Sequence, residues 1–147
     1  MAPQVLRIER RLAAPRERVF RAWEDPRDLE QWAWGSLSHE ARAQVDFQVG
    51  GSFRVETLRP DGATLAFSGR FTEISAPQRL AHSLAWEAPM GYGPVPERVV
   101  VELSATVDGT RLVFTHEGDF SEAARREHQR GWESCLDALA RRLAESP

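Results

Sequence analysis

The chain has 147 residues, a length that fits one domain able to bury about 70% of the surface that its unfolded form would expose. Its formal net charge is −3, and 22 acidic residues are interspersed with 19 basic ones, so no basic patch indicates nucleic acid as a partner. Charges interrupt the first residues and no apolar stretch approaches about 18 residues, which favours a cytoplasmic protein without membrane insertion.

The N-terminal part of the chain predicts one strand and two short helices. Apolar and polar residues alternate over residues 5–12, which is typical of a half-buried strand. A helix is then predicted from Pro15 to about Trp23, because its apolar residues share one face. Asp25 suits the N-cap of a second helix, whose first residue is a proline and whose inner face carries Trp32.

The middle of the chain, from residue 41 to residue 116, predicts six antiparallel strands. Its apolar residues recur with a period of two, and turn sequences such as Gly50-Gly51 and Asp108-Gly109 separate the segments. Segments joined by such turns pair as hairpins. The large apolar residues predicted on the inner face of these strands are Phe53, Phe67, Phe71, Leu84, Trp86, Val101 and Phe114.

A long helix is predicted over residues 122–144. Ser121 offers an N-cap, and buried-type residues follow at helical spacing. The predicted inward stripe consists of His128, Trp132, Cys135, Leu136, Leu139 and Leu143. Gly131 is unfavourable inside a helix, so it indicates that another part of the protein approaches the helix backbone closely at this point.

Residues 89–96 interrupt the strand pattern with three prolines and two glycines. Prolines remove backbone donors and glycines remove conformational restraint, so a regular element is excluded. The segment predicts a flap, with Met90 and Tyr92 as adaptable apolar contacts. We expect this flap to border the mouth of a pocket and to move when a ligand binds.

Five segments that span nearly the whole chain together resemble a known family. In chain order they are APRERVFRAWEDPRDLEQW, VDFQVGGSFR, PDGATLAFSGRFTEISAPQRL, GTRLVFTHEGDF and HQRGWESCLDALARRL. They are similar to the bacterial homologues of the activator of heat-shock-protein-90 ATPase, within the START-like (SRPBCC) superfamily. The resemblance implies an α+β helix-grip fold in a single domain over residues 1–147: a curved seven-stranded antiparallel sheet with two short helices, wrapped around a long C-terminal helix, with a cavity between sheet and helix.

The resemblance leaves the activity open, because the superfamily includes lipid and hormone carriers, polyketide cyclases, dehydratases and co-chaperones. The leading hypothesis is a protein that holds a small apolar or amphipathic molecule in the cavity, as a monomer or homodimer. One alternative is a cyclase, dehydratase or hydrolase-type enzyme that uses the same pocket. The other is a protein-interaction module that resembles the co-chaperone.

The predicted ligand-binding residues lie on the inner faces of the strands and helices. They are Trp23, Trp32, Phe53, Phe67, Phe71, His82, Leu84, Trp86, Val101, Phe114, His116, His128, Trp132 and Leu136. This set follows from strand parity and helical spacing, which place the aromatic residues toward one interior space.

The three histidines of this set, His82, His116 and His128, are the candidates for acid–base chemistry or ligand orientation. None belongs to a sequence-local metal motif, so no metal is expected, and we expect His116 and His128 to lie close together. Cys135 lies mid-helix on the buried stripe, where a thiol stays neutral. The chain contains no lysine, which excludes a Schiff base, and its glycines lack the strand–loop–helix context of a nucleotide site, so no cofactor is expected.

Overall fold

The computed structural model describes residues 3–35, 40–87 and 96–145, which form one antiparallel sheet and three helices. The strands are β1 (Gln4–Leu12), β2 (Glu40–Val45), β3 (Ser52–Leu58), β4 (Thr64–Ser75), β5 (Arg79–Trp86), β6 (Glu97–Thr106) and β7 (Gly109–Gly118). The helices are α1 (Arg16–Glu24), α2 (Pro26–Trp32) and α3 (Glu122–Glu145). These elements confirm the predicted helix-grip α+β fold.

The seven strands lie in the order β1-β7-β6-β5-β4-β3-β2. The meander from β2 to β7 ends beside β1, where Leu6 is opposite His116 and Ile8 is opposite Phe114. Since α1 and α2 follow β1 directly, they carry the chain to the far edge of the sheet. At that edge, Glu30 of α2 accepts a hydrogen bond from the backbone N–H of Ala43 over 2.9 Å, which satisfies one donor of edge strand β2.

Strand β4 is irregular at one point that affects the shape of the sheet. Its register with β5 shifts between Phe71 and Glu73. An extra residue of this kind bends the bulged strand and increases its local twist. The bend adds to the curvature of the face that carries Phe53 and Phe67, both of which are buried.

Helix α3 packs its apolar stripe toward the sheet. Ser121 accepts a hydrogen bond from the N–H of Ala124 over 3.1 Å, so it is the predicted N-cap. The ring of Trp132 lies 4.7 Å from that of Phe114 on β7 and 6.3 Å from that of Phe67 on β4. All members of the predicted inward stripe are buried.

The expectation for Gly131 is wrong. No atom beyond its chain neighbours and its own helix lies within 4 Å of the place where a Cβ would stand, and the residue is exposed. In an α-helix the side chain of residue 131 points about 100° away from that of residue 132. Gly131 therefore lies beside the buried stripe, on the solvent side.

Helices α1 and α2 are separated only by Asp25, and this pair is called the V below. A buried ion cluster joins the V to α3. Asp25 caps α2 as predicted, whereas α1 begins one residue later than predicted, at Arg16. Arg18 bonds both carboxylate oxygens of Asp28, at 3.1 and 3.0 Å, and Arg142 of α3 bonds Asp28 at 2.9 Å. Burial alone would raise the pKa of Asp28, but the hydrogen bonds from the two guanidinium groups hold it below its ordinary value.

The predicted flap over residues 89–96 lies outside the described residues, apart from Pro96. Among the helices of the described ranges, none has the length and apolar character needed to cross a membrane.

Candidate functional site

A small apolar cavity lies between the sheet, the V of α1 and α2, and α3. Its volume is about 20 Å³, which is room for about one water molecule. The lining residues are Trp23, Leu29, Trp32, Ala33, Phe53, Val55, Phe67, Phe71, His82, Phe114 and Trp132. All of these except His82 present aliphatic or aromatic surface, so His82 is the one titratable side chain of the lining among residues 3–35, 40–87 and 96–145.

The predicted ligand-binding residues divide into two groups in the structure. The residues that line the cavity are Trp23, Trp32, Phe53, Phe67, Phe71, His82, Phe114 and Trp132. The residues that lie in the core around it, without forming its wall, are Leu84, Trp86, Val101, His116, His128 and Leu136. Leu29, Ala33 and Val55 also form the wall; helical spacing from Trp32 finds Leu29, and strand parity with Phe53 finds Val55.

The cavity is no larger than a few water molecules, because aromatic rings occupy most of the space between sheet and helices, so its volume alone does not support the ligand-binding hypothesis. The rings of Trp23 and Trp32 are 4.7 Å apart in an edge-to-face arrangement, and those of Phe114 and Trp132 are also 4.7 Å apart. At these separations the rings are in contact. Helical spacing and strand parity identify which residues point inward but not how much volume their side chains leave.

His82 of β5 is buried, with 6% of its surface exposed, and its ring lies 4.7 Å from that of Phe53. Its Nδ1 lies 2.8 Å from the carbonyl oxygen of Ser83. A carbonyl oxygen only accepts hydrogen bonds, so Nδ1 carries the proton and donates. Burial lowers the pKa of His82 to about 4, which leaves the ring neutral near pH 7, with Nε2 as an acceptor.

A second polar group, built around Glu97, lies near the end of the sheet where β6 begins. Its Oε1 accepts hydrogen bonds from Trp86 Nε1 at 3.1 Å and from His116 Nε2 at 2.6 Å. Trp132 Nε1 donates to His116 Nδ1 over 2.9 Å. Burial alone would raise the pKa of Glu97, but the hydrogen bonds from His116 and Trp86 hold it below its ordinary value.

The hydrogen bonds of His116 determine which of its ring nitrogens carries the proton. Since an indole N–H only donates, Nδ1 of His116 is unprotonated and its proton lies on Nε2, facing Glu97. Both ring nitrogens are thus engaged, and the residue is fully buried. This geometry leaves His116 no free nitrogen with which to exchange a proton with a ligand.

His128 lies beside this group, as the sequence predicts. Its ring centroid is 4.9 Å from that of His116, and it stacks on Trp86 at 5.4 Å with an interplanar angle of 10°. Burial lowers the pKa of His128 to about 4. Within the described ranges, no three His, Cys, Asp or Glu side chains are grouped so that they could hold a metal ion.

The model of the family described as activator of Hsp90 ATPase homolog 1-like protein matches residues 13–144. The chain belongs to this family. This confirms the resemblance to bacterial homologues of the Hsp90 ATPase activator within the START-like superfamily.

Solved structures of similar proteins cover almost the whole chain. A protein from Chromobacterium violaceum is 28% identical, with a TM-score of 0.81 over 95% of this chain and 96% of that one. A protein from Rhizobium leguminosarum is also 28% identical, with a TM-score of 0.79 over 99% and 97%. An AHSA1-like protein from Aeromonas hydrophila is 26% identical, with a TM-score of 0.78 over 97% and 94%. Comparison with curated proteins gives no match.

Two buried residues are absent from the predicted ligand-binding set. Glu97 shares its strand parity with Val99 and Val101, so that parity would have placed its side chain inside. Trp34 follows α2, and its ring lies 5.0 Å from that of Phe67. The indole Nε1 of Trp34 is buried without a hydrogen-bond partner among the described residues.

The thiol of Cys135 stays neutral, as its position on the buried stripe predicts. Its thiol lies 3.2 Å from the carbonyl oxygen of Ala33 and donates to it. Burial raises the pKa of Cys135 to about 12, so the thiolate that acts as a nucleophile is not populated near pH 7.

Proposed function

We propose that this protein binds a small apolar or amphipathic molecule between the sheet and α3. The observation that carries the proposal is the convergence of aromatic side chains from the strands, the V of helices and α3 on one interior space. Small-molecule sites are concave and mostly apolar, with a few polar groups that orient the ligand. Membership of the family supports a ligand-binding fold in general.

The volume of about 20 Å³ implies that a ligand enters by displacing side chains. Trp23 and Trp32 are the side chains that the V contributes to this wall together with Leu29. The indole N–H of Trp32 bonds the carbonyl oxygen of Ala22 over 3.0 Å, which ties α2 to α1. The V is also tied to the sheet, where Glu30 bonds Ala43, and to α3 through the ion cluster of Asp28. We therefore propose that side chains of the wall, and not the helices as a unit, move when the ligand binds.

The geometry favours binding over catalysis at this cavity. An enzyme site needs at least two groups that converge on the reacting atoms. His82 is the only titratable side chain of the lining among the described residues, and both nitrogens of His116 are bonded to protein groups. A carrier or sensor requires no more than an apolar wall with one polar contact.

The decisive experiment is native mass spectrometry of the protein purified from its own host, which we expect to reveal a retained small molecule. Ala33→Val adds two methyl groups at the cavity wall, so it should abolish retention. Ala138→Val makes the same change at a buried α3 residue outside the lining, and it should retain the ligand. Equal retention by both folded variants would place the ligand elsewhere, and a wild-type protein without any bound mass would contradict the proposal.

A further inference from the structure

We propose that His82 selects ligands that carry a hydroxyl group or another neutral hydrogen-bond donor. The donor would bond to Nε2 of the imidazole at the cavity wall. This inference rests on the proposed function, because it names the class of ligand for the same cavity.

The tautomer of His82 is set by the protein backbone. Nδ1 donates to the carbonyl oxygen of Ser83 over 2.8 Å, so in the neutral ring Nε2 holds a lone pair and no proton. The pKa of about 4 keeps the ring neutral through the physiological range. Because one nitrogen is fixed by the backbone, the other presents an acceptor in a constant orientation.

That acceptor has no competitor in the cavity wall. The bond from Nδ1 is the only hydrogen bond of His82 within the described residues, so Nε2 is without a partner there. The indole groups of Trp23, Trp32 and Trp132 donate and do not accept, so none of them adds a second acceptor to the wall. Within the described ranges, His82 is therefore the one side chain of the lining that can accept a hydrogen bond, and 6% of its surface is exposed.

The same surroundings discriminate against charged ligands. A carboxylate or phosphate would face the lone pair of Nε2, and the part of the lining that the structure describes contains no cationic side chain. An ammonium group would lose its hydration among aromatic rings without a carboxylate to compensate. A neutral hydroxyl can donate to Nε2 without bringing a charge among the aromatic rings, which makes an apolar alcohol or phenol the matching class.

The test compares p-cresol with p-xylene, two ring compounds of nearly equal size that differ by a hydroxyl in place of a methyl group. Affinities would be measured by following the tryptophan indole N–H resonances of labelled protein. The relevant quantity is the change in the ratio of the two affinities between wild type and variant, because this comparison cancels the difference in hydrophobicity between the two compounds. We expect this ratio to favour p-cresol about tenfold more in the wild type than in His82→Phe, as the loss of one hydrogen bond implies.

Phe71→Leu is the matched control, since it changes a residue of the same wall without removing a polar atom. It should weaken both compounds and leave their ratio unchanged. A ratio that is the same in the wild type and in His82→Phe would overturn the role of His82 while leaving the binding cavity intact. Failure of both compounds to shift any indole resonance of the wild type would instead contradict the proposed function itself, and with it this inference.

A second measurement does not depend on the folding of a variant. The ¹⁵N resonance of His82 Nε2 in the wild-type protein reports directly whether that atom accepts a hydrogen bond. We expect p-cresol to shift it and p-xylene to leave it nearly unchanged. An unchanged resonance at saturating p-cresol would overturn the proposal.

Discussion

Trp132 of α3 donates its indole N–H to Nδ1 of His116 on β7, over 2.9 Å. The bond joins the long helix to the sheet, and it forces the imidazole proton onto Nε2, where Glu97 of β6 accepts it at 2.6 Å. Trp86 of β5 completes the chain by donating to the same carboxylate oxygen. One line of hydrogen bonds thus connects α3 with three neighbouring strands.

The first prediction tests this connection with Trp132→Phe. The substitution keeps an aromatic ring in the core but leaves Nδ1 of His116 as a buried acceptor without its donor. We expect the free energy of unfolding, measured by urea denaturation, to fall by about 1–3 kcal/mol beyond the loss of packing area.

Trp34→Phe is the control for that variant. Trp34 is buried to a similar extent, and its indole N–H has no hydrogen-bond partner among the described residues. It therefore loses ring area without losing a hydrogen bond. Equal destabilisation by the two variants would show that the bond to His116 contributes little.

How far the sequence predicts this arrangement depends on the distance over which residues interact. Local periodicity and the family resemblance predicted all seven strands and the inward stripe of α3, because each depends on neighbours along the chain. The hydrogen-bond partners of Glu97 are Trp86 of β5 and His116 of β7, and Trp132 of α3 joins the network through His116. No spacing rule connects such positions, so the carboxylate at the centre of the network was missed.

The cavity shows a second limit. Parity placed Phe53, Phe67 and Phe71 correctly on the buried face, and these residues do line the space. Its volume, however, is a small difference between the space enclosed by the sheet and the volume of the rings that fill it. That difference depends on rotamers and on the bend in β4, neither of which the sequence pattern specifies.

The second prediction concerns pH and His82. The pKa of its imidazole is about 4 in the folded protein, whereas the ordinary value for a histidine, which applies to the unfolded chain, is 6.5. Between these pH values the unfolded chain binds a proton that the folded protein excludes. The free energy of unfolding must then fall as pH decreases from about 6.5 to 4. For His82 the loss between pH 7 and pH 4.5 should be about 2–3 kcal/mol.

Urea denaturation at these two pH values would measure the effect. His128, whose pKa is also about 4, acts in the same direction. We expect His82→Phe to be less stable than the wild type at pH 7 but to lose less stability on acidification. Parallel losses in the two proteins would show that His82 is not excluded from protonation by folding.

The third prediction concerns Asp28, whose carboxylate bonds Arg18 and Arg142. Its lowered pKa means that its contribution to stability is present above about pH 4 and is lost as pH falls further. Asp28→Asn removes the charge that compensates a buried guanidinium and should destabilise the protein by about 3 kcal/mol at pH 7.

The control for Asp28 is Asp61→Asn. Asp61 pairs with Arg59 at 3.9 Å, and its side chain is 60% exposed. An exposed pair of this kind contributes little, so the free energy of unfolding should change by less than about 0.5 kcal/mol. A similar small effect of Asp28→Asn would contradict a stabilising role of the cluster between the V and α3.

The last prediction follows from the exposed position of Gly131 in α3. A Cβ at this residue would meet no atom beyond its chain neighbours and its own helix within 4 Å, so Gly131→Ala introduces no clash. Alanine is favoured over glycine in a helix interior by about 1 kcal/mol, chiefly because glycine loses more conformational entropy on folding. We therefore expect Gly131→Ala to stabilise the protein by about 0.5–1 kcal/mol.

Gly69→Ala is the matched opposite case, since its Cβ would clash with the carbonyl oxygen of Ser83, and it should destabilise the protein. Urea denaturation of both variants checks the pair, and a destabilised Gly131→Ala would show that the helix is approached closely at that residue after all.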